Sequence, residues 1–199
     1  MITLLTNRPA AVHAAQIEQF GQLVGLWETR ISYHPADGSP ARHTTGAWEF
    51  GYALDGRAVI DVWQVPDRAA LAGAERAADQ ECGLCVRIWD PRLQLWRFTF
   101  HGTAHGHLIH MYAREIDDEI IMERAEGAHL VRWIFSDIRP DSFHWRSEHS
   151  IDGGANWRLD QRVQAHRATA PSQPRIDRRL PQAGTSAFGA EPDPEQAAC

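Results

Sequence analysis

The stretch 84–102, LCVRIWDPRLQLWRFTFHG, decides the fold. Residues 84–90 and 95–102 are both rich in aromatic and β-branched side chains, and both follow a period of two. In the first run Arg87 and Trp89 share a face. In the second, Trp96, Phe98 and Phe100 share one. Asp90-Pro91 opens the turn between the runs, and no helical pattern intervenes. Two strands joined this way form an antiparallel hairpin.

The same pattern extends outward in both directions. Upstream lie WETRISY (27–33), AWEFGYAL (47–54) and AVIDVWQV (58–65). Downstream lie HLIHMYARE (107–115), EIIMERAE (119–126), LVRWIFSDI (130–138), SFHWRSEHS (142–150) and WRLDQRVQAH (157–166). Turn signals stand between them: Asp55-Gly56, Asp117-Asp118, Glu126-Gly127, Arg139-Pro140-Asp141 and Asp152-Gly153-Gly154. About ten consecutive hairpin-linked strands must curl, and closure removes their edges. The expectation is a mainly β, antiparallel up-and-down β-barrel. A cone-shaped α+β fold would need three N-terminal helices, and the sequence offers one. That helix is read over 10–24, with Val12, Ile17, Phe20 and Val24 on one stripe and Gly25 ending it.

Residues 1–167 are read as the barrel domain. The Ala-rich, charged segment 66–81 is expected to be an excursion over the barrel mouth. Residues 168–199 hold five of the 11 prolines and break every pattern, so they are read as a disordered tail.

Composition excludes several functions. All 20 basic residues are Arg, and without a lysine there is no Schiff base, no pyridoxal phosphate attachment and no P-loop. A net charge of −6 supplies no basic face for nucleic acid. No apolar run is long enough to span a membrane, and the N-terminus carries no secretory pattern, so a cytoplasmic protein is expected. No G-x-S-x-G and no post-strand G-x-G-x-x-G occur, which removes the hydrolase elbow and the Rossmann site. Cys82 and Cys85 form a lone C-x-x-C on a strand, where the two thiols face opposite sides and are read as inert. No cofactor is called for, and homodimerisation is left open.

Gly25-Leu26-Trp27, at the start of the first strand, resembles the G-x-W signature of lipocalins. The resemblance implies that Trp27 closes the barrel floor, with Arg162 or Arg167 packed on its ring. Three longer pieces resemble a bacterial lipocalin-like group of the calycin superfamily, the DUF1579-like families. They are LDGRAVIDVW (54–63), LCVRIWDPRLQLWRF (84–98) and VRWIFSDIRPDSFHWRSEHSIDGGANW (131–157), the last closing on S-x-DGG-x-x-W and an Arg. The resemblance covers roughly residues 20–167. It implies a lipocalin-like barrel and no particular reaction.

Eight tryptophans fall one or two per strand. Trp48, Phe50, Trp63, Trp89, Trp96, Phe98, Trp133 and Trp145 are the candidate ligand-binding residues, if their faces turn inward. The alternative is that they fill the core. Asp61, Arg87, His101, Arg132 and Glu148 lie mid-strand, and His144 with them. The first five are the candidate catalytic set: Arg87 or Arg132 to polarise a ligand carbonyl or hold a carboxylate, and Glu148, Asp61 or His101 to move a proton. The alternative is charge on the outer wall in ordinary cross-strand pairs.

His105 and His107 have metal-chelating spacing, with His129 or His43 as a third ligand. His144, His149 or His166 could ligate haem. No established motif supports either group.

The leading expectation is a barrel binding one small apolar or aromatic molecule. It acts as a cofactor-independent isomerase, cyclase or hydratase-type enzyme of secondary metabolism, or as a non-catalytic carrier or sensor. His-dependent metal or haem binding and a partner-binding module using the tail are further alternatives.

Overall fold

The computed structural model describes residues 5–66 and 80–168. The 66–81 excursion falls almost wholly outside the described residues, as does the tail beyond Ala168. Eleven strands and one helix are present among the described residues: β1 (Leu5–Thr6), α1 (Ala14–Gly21), β2 (Gly25–Tyr33), β3 (Arg42–Ala53), β4 (Ala58–Val65), β5 (Glu81–Asp90), β6 (Leu95–Gly102), β7 (Leu108–Ile116), β8 (Glu119–Glu126), β9 (His129–Arg139), β10 (Ser142–Ser150) and β11 (Arg158–Arg167).

From β2 to β11 each strand pairs antiparallel with the next, and β11 returns to β2 to close the ring. The result is a ten-stranded antiparallel barrel. The short β1 was not read from the sequence. It lies outside the ring, pairing Leu5 with Ala53 and Thr6 with Tyr52.

Alternation carries one row of each strand inward. Trp48 and Phe50 of β3, Asp61 of β4, Cys85 and Arg87 of β5, and Trp96, Phe98 and Phe100 of β6 are all buried on that side. The register links these rows. Phe50 faces Asp61, Asp61 faces Cys85, Cys85 faces Phe100, and Phe100 faces Ile109.

α1 is shorter than the stripe over 10–24. Val12 is half exposed and precedes the helix. Backbone bonds from Leu23 to Phe20 and from Val24 to Gly21 tighten the chain at the helix end. Gly25 opens β2 instead of ending the helix, at φ 133°, a conformation that favours glycine. A Cβ there would collide with the Arg167 guanidinium.

α1 seals one end of the barrel. Phe20 and Leu23 are fully buried, and Phe20 packs edge-on to Trp96 at 5.0 Å. Gln19 accepts a 2.8 Å hydrogen bond from the Trp96 indole. Trp27 donates to the Leu23 carbonyl at 2.7 Å, and Arg167 lies 4.1 Å over its ring. Of the two arginines the lipocalin resemblance offered, Arg167 takes this place, and Arg162 points outward. The Arg167 guanidinium also donates to the Val24 carbonyl at 3.0 Å, tying β11 to the floor.

Candidate functional site

Above this floor the barrel is hollow. A cavity of about 280 Å³ lies among Trp48, Trp63, Phe98, Phe100, Trp133 and Trp145, with Met122, Ile109 and Cys85 completing its apolar wall. Arg87, His107 and Gln161 are the polar residues lining it. The rings meet mostly edge to face, as Trp133 does with Trp145 at 5.6 Å and with Phe98 at 5.6 Å.

Of the eight aromatic residues expected to bind ligand, five line this cavity: Trp48, Trp63, Phe98, Trp133 and Trp145. Phe50, Trp89 and Trp96 face inward but are packed among other rings, Trp89 against Trp96 at 5.9 Å and Phe50 against Trp48 at 5.1 Å.

The charged candidates divide between the two sides of the wall. Asp61 and Arg87 are inside. Arg87 is 0% exposed and Asp61 1%. Asp61 faces Cys85 across the β4–β5 pair, so Arg87, two residues along the same strand face, is its diagonal neighbour. The Arg87 Nη1 group donates to Asp61 Oδ2, and Trp48 Nε1 donates to Asp61 Oδ1 at 2.6 Å. Both carboxylate oxygens are therefore occupied. The guanidinium carbon also lies 4.8 Å from the Phe20 ring centre, 5.0 Å from Phe98 and 5.4 Å from Phe50. The cation is thus neutralised by one carboxylate and enclosed by aromatic faces.

Arg132 and Glu148 are outside. They are direct cross-strand partners on the outer face of β9 and β10, bonded at 2.6 Å. Arg146 extends the network, donating to Glu148 at 3.1 Å and to Glu119 at 2.9 Å. Trp157 covers Arg132 at 3.8 Å. Neither Arg132 nor Glu148 lines the cavity, because their inward neighbours in the alternation are Trp133 and Ser147. The placement follows the outer-wall alternative weighed for them. His101 is exposed, on the face of β6 opposite Phe100.

The S-x-DGG-x-x-W segment forms a turn at the mouth. Ser150 and Asp152 bond each other at 2.8 Å, and Asp152 accepts from the Asn156 backbone at 2.9 Å and its side chain at 2.7 Å. These donors hold the Asp152 carboxyl down at about 2. The residue pattern there makes a hydrogen-bonded turn and seats Trp157 over Arg132 on the outer wall.

Sequence reasoning read Cys85 as an inert thiol and did not count it among the site residues. It is buried, it lines the cavity, and it is the direct cross-strand partner of Asp61, while Cys82 on the other face is exposed. Burial pushes its thiol well above the ordinary range, and the nearby Asp61 charge adds to this. Parity with Arg87 on β5 was the signal that could have found it.

The histidines are scattered. His105 and His107 are neighbours, with ring centres 5.5 Å apart. His149 lies 5.9 Å from His129, and His144 bonds Asp137 at 3.0 Å on the outer wall. Among the described residues no three His, Cys, Asp or Glu side chains gather as a metal would require. Nor is any helix there long and apolar enough to cross a membrane.

A closed antiparallel meander, floored by a helix and a Trp–Arg pair, defines a lipocalin-like barrel of the calycin type. Among solved structures, the S-type phycobiliprotein lyase CPES from Guillardia theta is similar, with a TM-score of 0.51 and 10% identity over 77% of this chain and 93% of that one. At that identity the likeness shows the fold alone. No protein-family model matches the chain, and a search among curated proteins finds no match.

Proposed function

We propose that the barrel binds one small, largely apolar molecule in its lumen, as a cytoplasmic carrier or sensor with no nucleic-acid or membrane partner. The observation behind this is the aromatic cavity of about 280 Å³ with Arg87, paired to the buried Asp61, in its wall. Pockets for small organic molecules combine such apolar walls with a few fixed polar groups. That the similar fold belongs to a phycobiliprotein lyase agrees with ligand binding in general. The DUF1579-like kinship rests on the three quoted segments, and residues 1–167 are taken as the barrel domain.

Asp61 is poorly suited to proton transfer, since both of its oxygens accept strong hydrogen bonds. That favours holding over turnover. A second reading, a cofactor-independent isomerase, cyclase or lyase, draws on Cys85. Its thiol lines the cavity beside Arg87, the candidate electrophile, but burial pushes the thiol up and makes it a weak acid, so this reading stands second.

Titration of the full-length protein with the two-ring fluorophore 1-aminonaphthalene, alongside native mass spectrometry of the fresh preparation, tests the binding. The expected result is saturable, one-to-one enhancement that drops at least tenfold in Ile109→Trp, which fills the cavity. Equal dye binding by parent and filled variant, both with unchanged circular dichroism, overturns the proposal.

A further inference from the structure

We infer that the outer faces of β4 to β7 pack against each other in a dimer of two copies of this chain. The inference is independent of the lumenal reading.

The alternation that turns Asp61, Cys85, Phe98 and Met111 inward turns their neighbours outward, and on these four strands many of the neighbours are apolar. Register lines them up in rows across the wall. Val62 faces Leu84, Leu84 faces His101, and His101 faces Leu108. Two residues along, Ile60 faces Val86, Val86 faces Thr99, and Thr99 faces His110. A third row runs from Ile88 through Arg97 to Tyr112. No carboxylate stands in these rows. Their one arginine, Arg97, is paired with Asp90 at 2.7 Å.

Val62, Leu84, Ile88, Leu108 and Tyr112 are each at least 41% exposed. A single exposed leucine needs no explanation, but five large apolar side chains on one face do. The wall of β8 to β10 is the opposite case. Its Arg132, Arg146, Glu119 and Glu148 satisfy one another within the chain.

The face is large enough to hold a partner. Four strands about 4.8 Å apart, with outward residues about 6.8 Å apart along each, give a face of roughly 20 by 20 Å. Contiguous apolar patches beyond a few hundred Å² mark interaction sites. With its side-chain relief and the rim around it, such a face can bury roughly 800 Å² per partner, which is what a standard stable interface takes.

A second copy fits it best. Two-fold symmetry sets the same patch against itself, so apolar rows meet apolar rows, as in stacked sheets. Each copy carries a net charge of −6, which disfavours contact through most of the surface. Rows without a carboxylate let two copies meet with little repulsion. The stretch 67–79, outside the described residues, lies in sequence between β4 and β5. It holds five charged residues and one large apolar side chain, Leu71, too little to cover five.

Sedimentation velocity of the full-length protein at micromolar concentrations tests the inference. The expected result is a dimer in equilibrium with the monomer. Leu84→Glu and Leu108→Glu each bring a carboxylate into the contact from both copies, and each should weaken the dimer at least tenfold. Gln164→Glu, exposed on β11 away from this face, should leave it within about twofold. High salt screens the repulsion between like-charged copies, so the dimer should hold or tighten. Circular dichroism of each variant is expected to match the parent, as the substituted positions are exposed.

A parent that stays monomeric overturns the inference and leaves the face to residues outside the described ones or to another protein. So does a dimer that neither Leu84→Glu nor Leu108→Glu weakens, one that Gln164→Glu weakens equally, or one that high salt dissociates, which would place the contact on a charged wall.

Discussion

The two ends of the barrel use the same residue types to opposite effect. At the floor, Phe20, Leu23, Trp27 and Trp96 are fully buried, and the indoles of Trp27 and Trp96 each donate a short hydrogen bond to α1 or the turn that follows it. In the upper half, Trp63 and Trp133 are only partly buried, and the Trp145 indole has no partner. The difference is the helix. Where α1 inserts, rings interlock around it. Where it does not reach, the rings stand around a space. An aromatic-rich wall is thus neither core nor pocket until something fills it.

The largest expected effect tests the boundary between these ends. Arg87→Met strands the Asp61 carboxylate in the interior and should cost about 3–5 kcal/mol in urea unfolding. The double variant with Asp61→Asn should recover a large part of that loss. If the single and double variants are equally unstable, the pair is not the coupled unit described.

Next comes the contrast in packing. Phe20→Ala should cost about 3 kcal/mol, since it opens a void in a closed floor. Ile109→Ala, at the partly open wall of the cavity, should cost only about 1 kcal/mol. Equal losses would erase the distinction between a solid end and a hollow one. Arg167→Ala removes a cation–π contact and a bond to the Val24 carbonyl, and about 1 kcal/mol is expected, read from the same denaturation curves.

The smallest effect belongs to the mouth. The Asp152 carboxyl titrates at about 2 in the folded chain, below its ordinary value of 3.8. A depressed carboxylate contributes stability that is fully present above the unfolded value and is lost as pH falls through the folded one. The stability gap between parent and Asp152→Ala should therefore hold at pH 5 and close towards pH 2. A gap independent of pH would mean that the turn does not depend on the charge.

Much of the fold was legible because it rests on local pattern. Period-two alternation and turn residues placed all ten barrel strands, and the hairpin order implied closure. The helix was read too long because Val12 and Val24 continue the apolar stripe, yet Gly25 at positive φ belongs to the strand. β1 went unread because a two-residue pairing leaves no periodicity. The site was legible in part. Parity put Asp61 with Trp63 and Arg87 with Trp89. It also put Arg132 opposite Trp133, but gave no means of choosing which of the two faces inward.

The resemblance of Gly25-Leu26-Trp27 to the lipocalin G-x-W implied the floor. The sequence alone determined an antiparallel barrel with an aromatic-rich wall and no lysine chemistry. Those follow from residue identity and spacing along the chain. The tertiary structure decided which face is inside, that Arg87 meets Asp61 while Arg132 meets Glu148, and that a space remains above α1. Facing and filling depend on contacts between strands far apart in the chain, and a one-residue change of register reverses every one of them.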